Sequence, residues 1–121
     1  MVDYRKYIVW QKSHQLVLEV YKVTATLPKS EQFNLISQIN RACLSIPTNI
    51  AEGCGRETQK ELIRFLYISS GSAHELEYLL LVSKDLNFIN ENLYIKLNSD
   101  INEIKKMLAA LIRKVASTVN S

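Results

Sequence analysis

Any chemistry in this chain would have to come from two histidines, two cysteines, a handful of carboxylates and one glycine-flanked corner. Neither His14 nor His74 has a second histidine at ligand spacing, so each reads as part of a polar face or as a helix-end cation. Glu75 and Glu77 are two residues apart, which on a helix aims them at different faces and removes a paired acid and base. Cys43 and Cys54 cannot build a disulfide framework, and the polar, aromatic residues 1–7 do not read as a secretory segment. A reducing cytoplasm is therefore the expected compartment. Glu52 with Arg41 or Arg56 could form a charged cluster, but ion pairs along helix faces account for the same residues.

The corner itself, Gly53-Cys54-Gly55, has two readings. One is a helix C-cap and turn, with glycine in the left-handed conformation. The other is a phosphate cradle, because a new helix begins a few residues later with free amides. The spacing is not that of a P-loop or dinucleotide fingerprint and no strand precedes it, which excludes nucleotide hydrolysis. With no nucleophile–base pair and no metal constellation at usable spacing, the sequence points away from an enzyme, and no cofactor, metal or small-molecule substrate is expected.

The elements that carry these residues are helical throughout. Residues 9–27 place Trp10, Val17, Val20, Tyr21, Thr24 and Leu27 on one stripe, widened by Leu16 and Val23, and Pro28 ends it. A second segment starts near Ser30 as N-cap, with Glu31 in its first turn. Leu35, Ile39, Ala42, Cys43, Ile46 and Ile50 form one apolar stripe there, and Phe33, Ile36, Leu44 and Ala51 a second, so two neighbours are expected. Gln38, Arg41, Ser45, Thr48 and Glu52 fall in a polar sector between the two stripes. Pro47 lacks the amide that would bond to the Cys43 carbonyl; a kink within a continuous helix is expected, with termination at Ile46 as the alternative.

Thr58-Gln-Lys-Glu61 is a capping box that opens a third segment of nearly thirty residues. Leu62, Phe65, Leu66, Ser69, Ala73, Leu76, Leu80 and Ser83 make its main face, while Ile63, Tyr67, Tyr78, Leu81 and Val82 spread apolar surface around the rest. The small residues of Ser69-Ser-Gly-Ser-Ala73 would let another backbone come close, so this helix is expected to be central and partly covered by another subunit. After a turn at residues 87–90, with Asn90 as cap, Tyr94, Leu97, Ile101, Ile104, Leu108, Leu111 and Val115 repeat three and four apart like a coiled-coil seam. Residues 117–121 should fray. The expected fold is all-α, an antiparallel up-down-up-down four-helix bundle kinked at Pro47, one domain over residues 1–121.

Composition agrees with that picture. A chain of 121 residues that is 47% apolar and 22% charged supports one core, and no apolar run reaches the length needed to span a bilayer, so no membrane partner is expected. The net charge of +3 divides as +2, +1, −2 and +2 over residues 1–28, 29–56, 57–89 and 90–121. A basic footprint must come mainly from the chain ends and the Arg56 corner.

Several stretches, Val9-Trp-Gln-Lys12, Leu27-Pro-Lys-Ser-Glu31, Gln38-Ile-Asn-Arg-Ala42, Ser45-Ile-Pro-Thr-Asn-Ile-Ala-Glu-Gly-Cys-Gly-Arg56, Lys60-Glu-Leu-Ile-Arg-Phe-Leu66 and Ser70-Gly-Ser-Ala-His-Glu-Leu-Glu77, carry a resemblance over nearly the whole chain. The chain resembles the bacterial four-helix bundle proteins encoded in intervening sequences of large-subunit ribosomal RNA genes, with Asn49-Ile-Ala-Glu-Gly53 the most specific part. The resemblance implies a ring-shaped homopentamer. In one related branch such proteins serve diversity-generating retroelements, binding nucleic acid and the reverse transcriptase. Besides Pro47, the residues Asn49, Glu52, Gly53, Gly55, Arg56, Gly71 and Glu75 match the motif and read mainly as fold and interface determinants.

Two functions follow as expectations. The first is a nucleic-acid-binding helper for RNA or DNA, in which copies of a modestly basic chain add their charge around an assembly. Arg41, Arg56, Lys60, Arg64, Lys105, Lys106, Arg113 and Lys114 are its candidate phosphate contacts. The second is a protein-interaction scaffold, or a reverse-transcriptase accessory protein that does not itself touch nucleic acid.

Overall fold

The computed structural model describes residues 2–119. Among them are four α-helices and no strand: α1 (Ile8–Thr24), α2 (Ser37–Cys54), α3 (Gln59–Asp85) and α4 (Glu91–Val119). One apolar core runs between all four, from Val9, Leu16 and Val20 through Ile39, Ile46 and Ile50 to Leu66, Leu76, Leu80, Leu97, Ile104 and Leu108. α2 packs against α1 and α3, and α3 against α4; the seam between α1 and α4 is the thinnest.

A short 3₁₀ turn, Tyr4–Lys6, is capped by the Asp3 carboxylate, which accepts from the Arg5 amide at 3.0 Å. In α1 the buried face is Val9, Ser13, Leu16, Val17, Val20 and Thr24. This corrects the expected stripe: Trp10 stands half-buried at its flank and Tyr21 is exposed. The rotation is possible because Ser13 satisfies its hydroxyl on the Trp10 carbonyl at 2.9 Å, so a polar residue can enter the core without an orphaned donor.

Ser30 does not cap α2. It lies inside a 3₁₀ turn, Lys29–Glu31, which has no side-chain cap and in which its backbone is helical rather than extended as an N-cap requires. A π turn, Gln32–Ile36, then widens the coil before α2 proper. The stripe Leu35, Ile39, Ala42, Cys43, Ile46 and Ile50 is buried as expected. The second stripe divides: Phe33 is 92% exposed and Leu44 46%, while Ile36 and Ala51 are half-buried, with Ile36 against the core, and α2 has the two helical neighbours expected. α2 runs unbroken through Pro47, which is itself buried.

The left-handed cap expected of Gly53 or Gly55 is also absent. Gly55 has φ −85 and ψ −2, and no described glycine has positive φ. α2 instead ends by tightening: the Gly55 amide donates to the Glu52 carbonyl and the Arg56 amide to the Gly53 carbonyl, both at 3.1 Å.

Thr58 caps α3 as predicted, its hydroxyl accepting from the Glu61 amide at 3.2 Å. All eight residues of the predicted main face are buried. Its serines are satisfied: Ser69 donates to the Ile46 carbonyl, Ser83 to the Leu79 carbonyl, and Ser72 meets Ser45. α3 ends at Asp85 with Leu86 as its C-cap, and Asn87 just beyond has a φ of 63, the left-handed conformation asparagine tolerates. Asn90 caps α4, accepting from the Leu93 amide at 2.8 Å. The buried seam of α4 is Leu97, Ile101, Ile104, Leu108, Ile112 and Val115, with Leu111 half-buried. Ile112 replaces the predicted Leu111 because a straight helix of 3.6 residues per turn drifts away from a 3.5 repeat. Residues 117–119 remain helical rather than frayed; residues 120 and 121 lie outside the described residues.

Candidate nucleic-acid interface

The site starts at the α2–α3 corner. A Cβ on Gly53 would stand 2.9 Å from the Phe65 Cβ and 3.0 Å from the Leu62 Cδ1, so glycine is what lets the end of α2 lie against the start of α3. That approach places the Phe65 ring beneath two guanidinium groups, Arg56 at 4.8 Å and Arg64 at 5.1 Å from its centroid. Phe65 is buried while both arginines are exposed, so the ring orients them without neutralising them. Lys60 lies one turn before Arg64 on α3 and is likewise exposed.

The eight candidate cations separate by partner. Arg41 bonds to Glu75 across α2 and α3 at 3.0 Å, and Lys105 bonds to Glu77 across α3 and α4 at 3.0 Å, so these two serve helix packing. The expected pairing of Glu52 with Arg41 or Arg56 does not occur, because Glu75 takes Arg41 and the Phe65 ring takes Arg56. Among the described residues Arg56, Lys60, Arg64, Lys106, Arg113 and Lys114 have no carboxylate within 4.0 Å. Lys106 and Arg113 share one exposed face of α4, seven residues apart.

The motif residues act mostly in packing. Asn49 donates to the Ser45 carbonyl and hydroxyl at 2.8 Å each, and the same Ser45 hydroxyl meets Ser72 of α3 at 2.8 Å. Glu75 is the ion-pair partner of Arg41. Gly71 differs: it is exposed, and a Cβ there would meet nothing within 4 Å, so packing within the chain does not require glycine. Tyr67 and Tyr78, each 62% exposed, lie on the same side of α3 as Gly71. By sequence they read only as surplus apolar surface; their spacing of eleven residues, three helical turns, is the signal of a shared face.

Elsewhere, a groove of about 710 Å³ separates α1 from α4, lined by Ile8, Leu16 and Ile104 and by the Trp10 ring stacked on His14. It is bridged by Lys12–Glu103 and by Lys96, which bonds to both Glu19 and Asp100 and is held above the usual lysine range first by Asp100 and then by Glu19. Burial pushes the Cys43 thiol up to about 12, and burial followed by the charge of Asp3 raises Cys54, so neither is poised as a thiolate. Among the described residues no three His, Cys, Asp or Glu side chains group so as to hold a metal ion, and no helix is long and apolar enough to cross a membrane.

The family model of the 23S rRNA-intervening sequence protein matches residues 5–110. No curated protein matches the chain. Among solved structures, a protein of unknown function from the S23 ribosomal protein family of Bacteroides thetaiotaomicron VPI-5482 is similar, with a TM-score of 0.82 at 28% identity over 88% of this chain and 96% of that one. The chain belongs to the 23S rRNA-intervening sequence protein family.

Proposed function

We propose that the protein is a non-enzymatic, cytoplasmic nucleic-acid-binding helper that works as a homo-oligomer, a ring of five copies in the form its family resemblance implies. Its subunit is an up-down-up-down antiparallel bundle bent at Pro47. Contacts along neighbouring helices support that order, because rising numbers on one meet falling numbers on the next. Arg41–Glu75, Ser45–Ser72 and Gly53–Phe65 link α2 to α3, Glu77–Lys105 and Lys84–Tyr94 link α3 to α4, and Glu19–Lys96 and Lys12–Glu103 link α1 to α4. In such a bundle the last turns of α4 lie beside the first turns of α3, so Arg56, Lys60, Arg64, Arg113 and Lys114 gather at one end. Copies of the chain cover Leu18 and Tyr21 of α1, Phe33 of the π turn and Leu44 of α2, all of which stand exposed. Five copies of a +3 chain carry about +15.

The observation that carries this reading is the gathering of five cations at that end with no carboxylate within 4.0 Å: Lys12, Arg41, Lys96 and Lys105 are spent on interhelical carboxylates, and the other unpaired lysines, Lys6, Lys22, Lys29 and Lys106, are not counted among the five. Unneutralised lysines and arginines are what bind phosphates and release counterions. RNA and DNA retention at about 50 and 200 mM salt tests it, with binding expected at the lower concentration and lost by orders of magnitude at the higher. Binding that is absent at low salt or indifferent to salt counts against it. The second reading is a scaffold, or a reverse-transcriptase accessory protein, that makes no direct contact with nucleic acid. It draws on the 92% exposure of Phe33, an anchor suited to a protein groove. A protein partner recovered without RNA favours that reading.

A further inference from the structure

We infer that the outward ridge of α3 takes a single strand of nucleic acid, with phosphates on Lys60 and Arg64 and bases stacked on Tyr67 and Tyr78. The inference rests on the nucleic-acid reading above and specifies the form of the ligand. Lys60, Arg64, Tyr67, Gly71, His74 and Tyr78 are all exposed and fall within about 80° of arc when α3 is wound at 100° per residue. They stretch over about 27 Å of helix, cations at the start and aromatic rings beyond. Charge along the ridge is set by what happens to its neighbours. Glu75 on one side is drawn to Arg41 of α2 and Glu77 on the other to Lys105 of α4, so the two carboxylates that flank the middle of the ridge are paired by adjoining helices, while Glu61 at its start flanks the cations without an ion-pair partner. Lys60 and Arg64 have no such partner, and together they outnumber Glu61, so the start of the ridge keeps a net positive charge.

The rings have no duty inside the fold. Neither Tyr67 nor Tyr78 stacks on another ring, carries a cation or makes a side-chain hydrogen bond, and both are 62% exposed. Between them Gly71 keeps the ridge low. Glycine is a poor helix residue and no neighbour lies within 4 Å of where its Cβ would be, so its use there suits a ligand that comes close to the backbone. His74 adds a ring tethered by its Nδ1 at 2.8 Å from the Ser70 carbonyl. Aromatic faces in line with cations bind unpaired bases, whose rings are free to stack; a duplex hides those rings and meets only the cations.

The test compares a thymidine oligomer, a uridine oligomer of equal length, and the thymidine strand annealed to its complement, each titrated against the full-length protein. The expected result is tighter binding of single strands than of duplex. Joint replacement Tyr67→Ala and Tyr78→Ala should weaken single-strand binding at least tenfold, leave the salt slope and duplex binding unchanged, and be rescued by Tyr67→Phe with Tyr78→Phe. Lys60→Ala with Arg64→Ala should instead lower the salt slope. A difference between the thymidine and uridine arms identifies DNA or RNA as the source of the strand. Duplex bound as tightly as single strand, with the tyrosine variants unaltered, overturns the ridge while leaving nucleic-acid binding standing. So does a fall in light-scattering mass in the tyrosine variants, which makes the ridge a contact between subunits. Failure of all three nucleic acids to bind at low salt overturns both readings.

Discussion

Gly53 near the end of α2 and Gly71 within α3 should respond in opposite directions to alanine. Alanine is better than glycine in a helix interior by about 1 kcal/mol, a gain that applies in full at Gly71 and only in part at Gly53, next to last in α2. At Gly71 nothing opposes it: the new methyl meets no atom within 4 Å, so Gly71→Ala should raise the stability of the chain by about 0.5–1 kcal/mol. At Gly53 the methyl would sit 2.9 Å from the Phe65 Cβ, about 0.5 Å inside the closest ordinary contact. The Phe65 Cβ is fixed to the α3 backbone, so relief requires the two helices to move apart. Overpacking of this kind costs about 1–3 kcal/mol, which exceeds the helical gain and leaves Gly53→Ala destabilised by up to about 2 kcal/mol. The midpoint of thermal unfolding should fall by about 4 °C for each kcal/mol lost. Urea unfolding of both variants and the parent, at one protein concentration so that assembly contributes equally, measures the difference. A Gly53→Ala protein as stable as Gly71→Ala would refute the claim that the corner depends on that approach.

Three further outcomes follow from particular residues. Cys43 keeps its proton up to about pH 12 in the fold, whereas the unfolded thiol loses it near about 8.5. The folded state therefore binds the proton more tightly: its contribution to stability is intact below about pH 8.5 and is lost as pH rises towards 12, by about 1.4 kcal/mol per unit. Between pH 8 and pH 10 the parent should lose about 2 kcal/mol more than Cys43→Ala in urea unfolding, and equal losses would contradict the burial argument. Asn87, at φ 63, should tolerate glycine without loss, while Asn87→Ala costs about 1 kcal/mol by the same measurement. Thr58→Ala removes the cap on the Glu61 amide and should cost about 1 kcal/mol; an unchanged midpoint would show that water replaces the hydroxyl.

What the sequence made legible was what depends on short range. The Thr58 and Asn90 caps, the main faces of α2 and α3 and the passage of α2 through Pro47 each follow from spacing within a turn or two, and they stand where expected. The misreadings concern features decided by a neighbouring helix or by the loop between two. Ser30 looks like a cap, but the chain leaves Pro28 in a 3₁₀ and then a π turn. Gly53 and Gly55 look like a left-handed exit, but the corner closes in the right-handed region and Gly53 is required by Phe65 on the next helix. Glu52 and Arg56 are four apart, yet ring stacking over Phe65 and the cross-helix Arg41–Glu75 pair prevail. The same reasoning separates the candidate cations: nothing in their spacing distinguishes Lys105, tied to Glu77, from Lys106 beside it, because the distinction lies on α3.

The account as a whole turns on the exposed apolar side chains of α1 and α2 being covered by further copies of the chain, which is what multiplies its small charge. Light scattering of the purified protein over a range of concentrations tests this most directly. A mass several times 13.9 kDa, retained down to micromolar concentration, is the expected result. A well-folded species of 13.9 kDa that persists to millimolar concentration would contradict it.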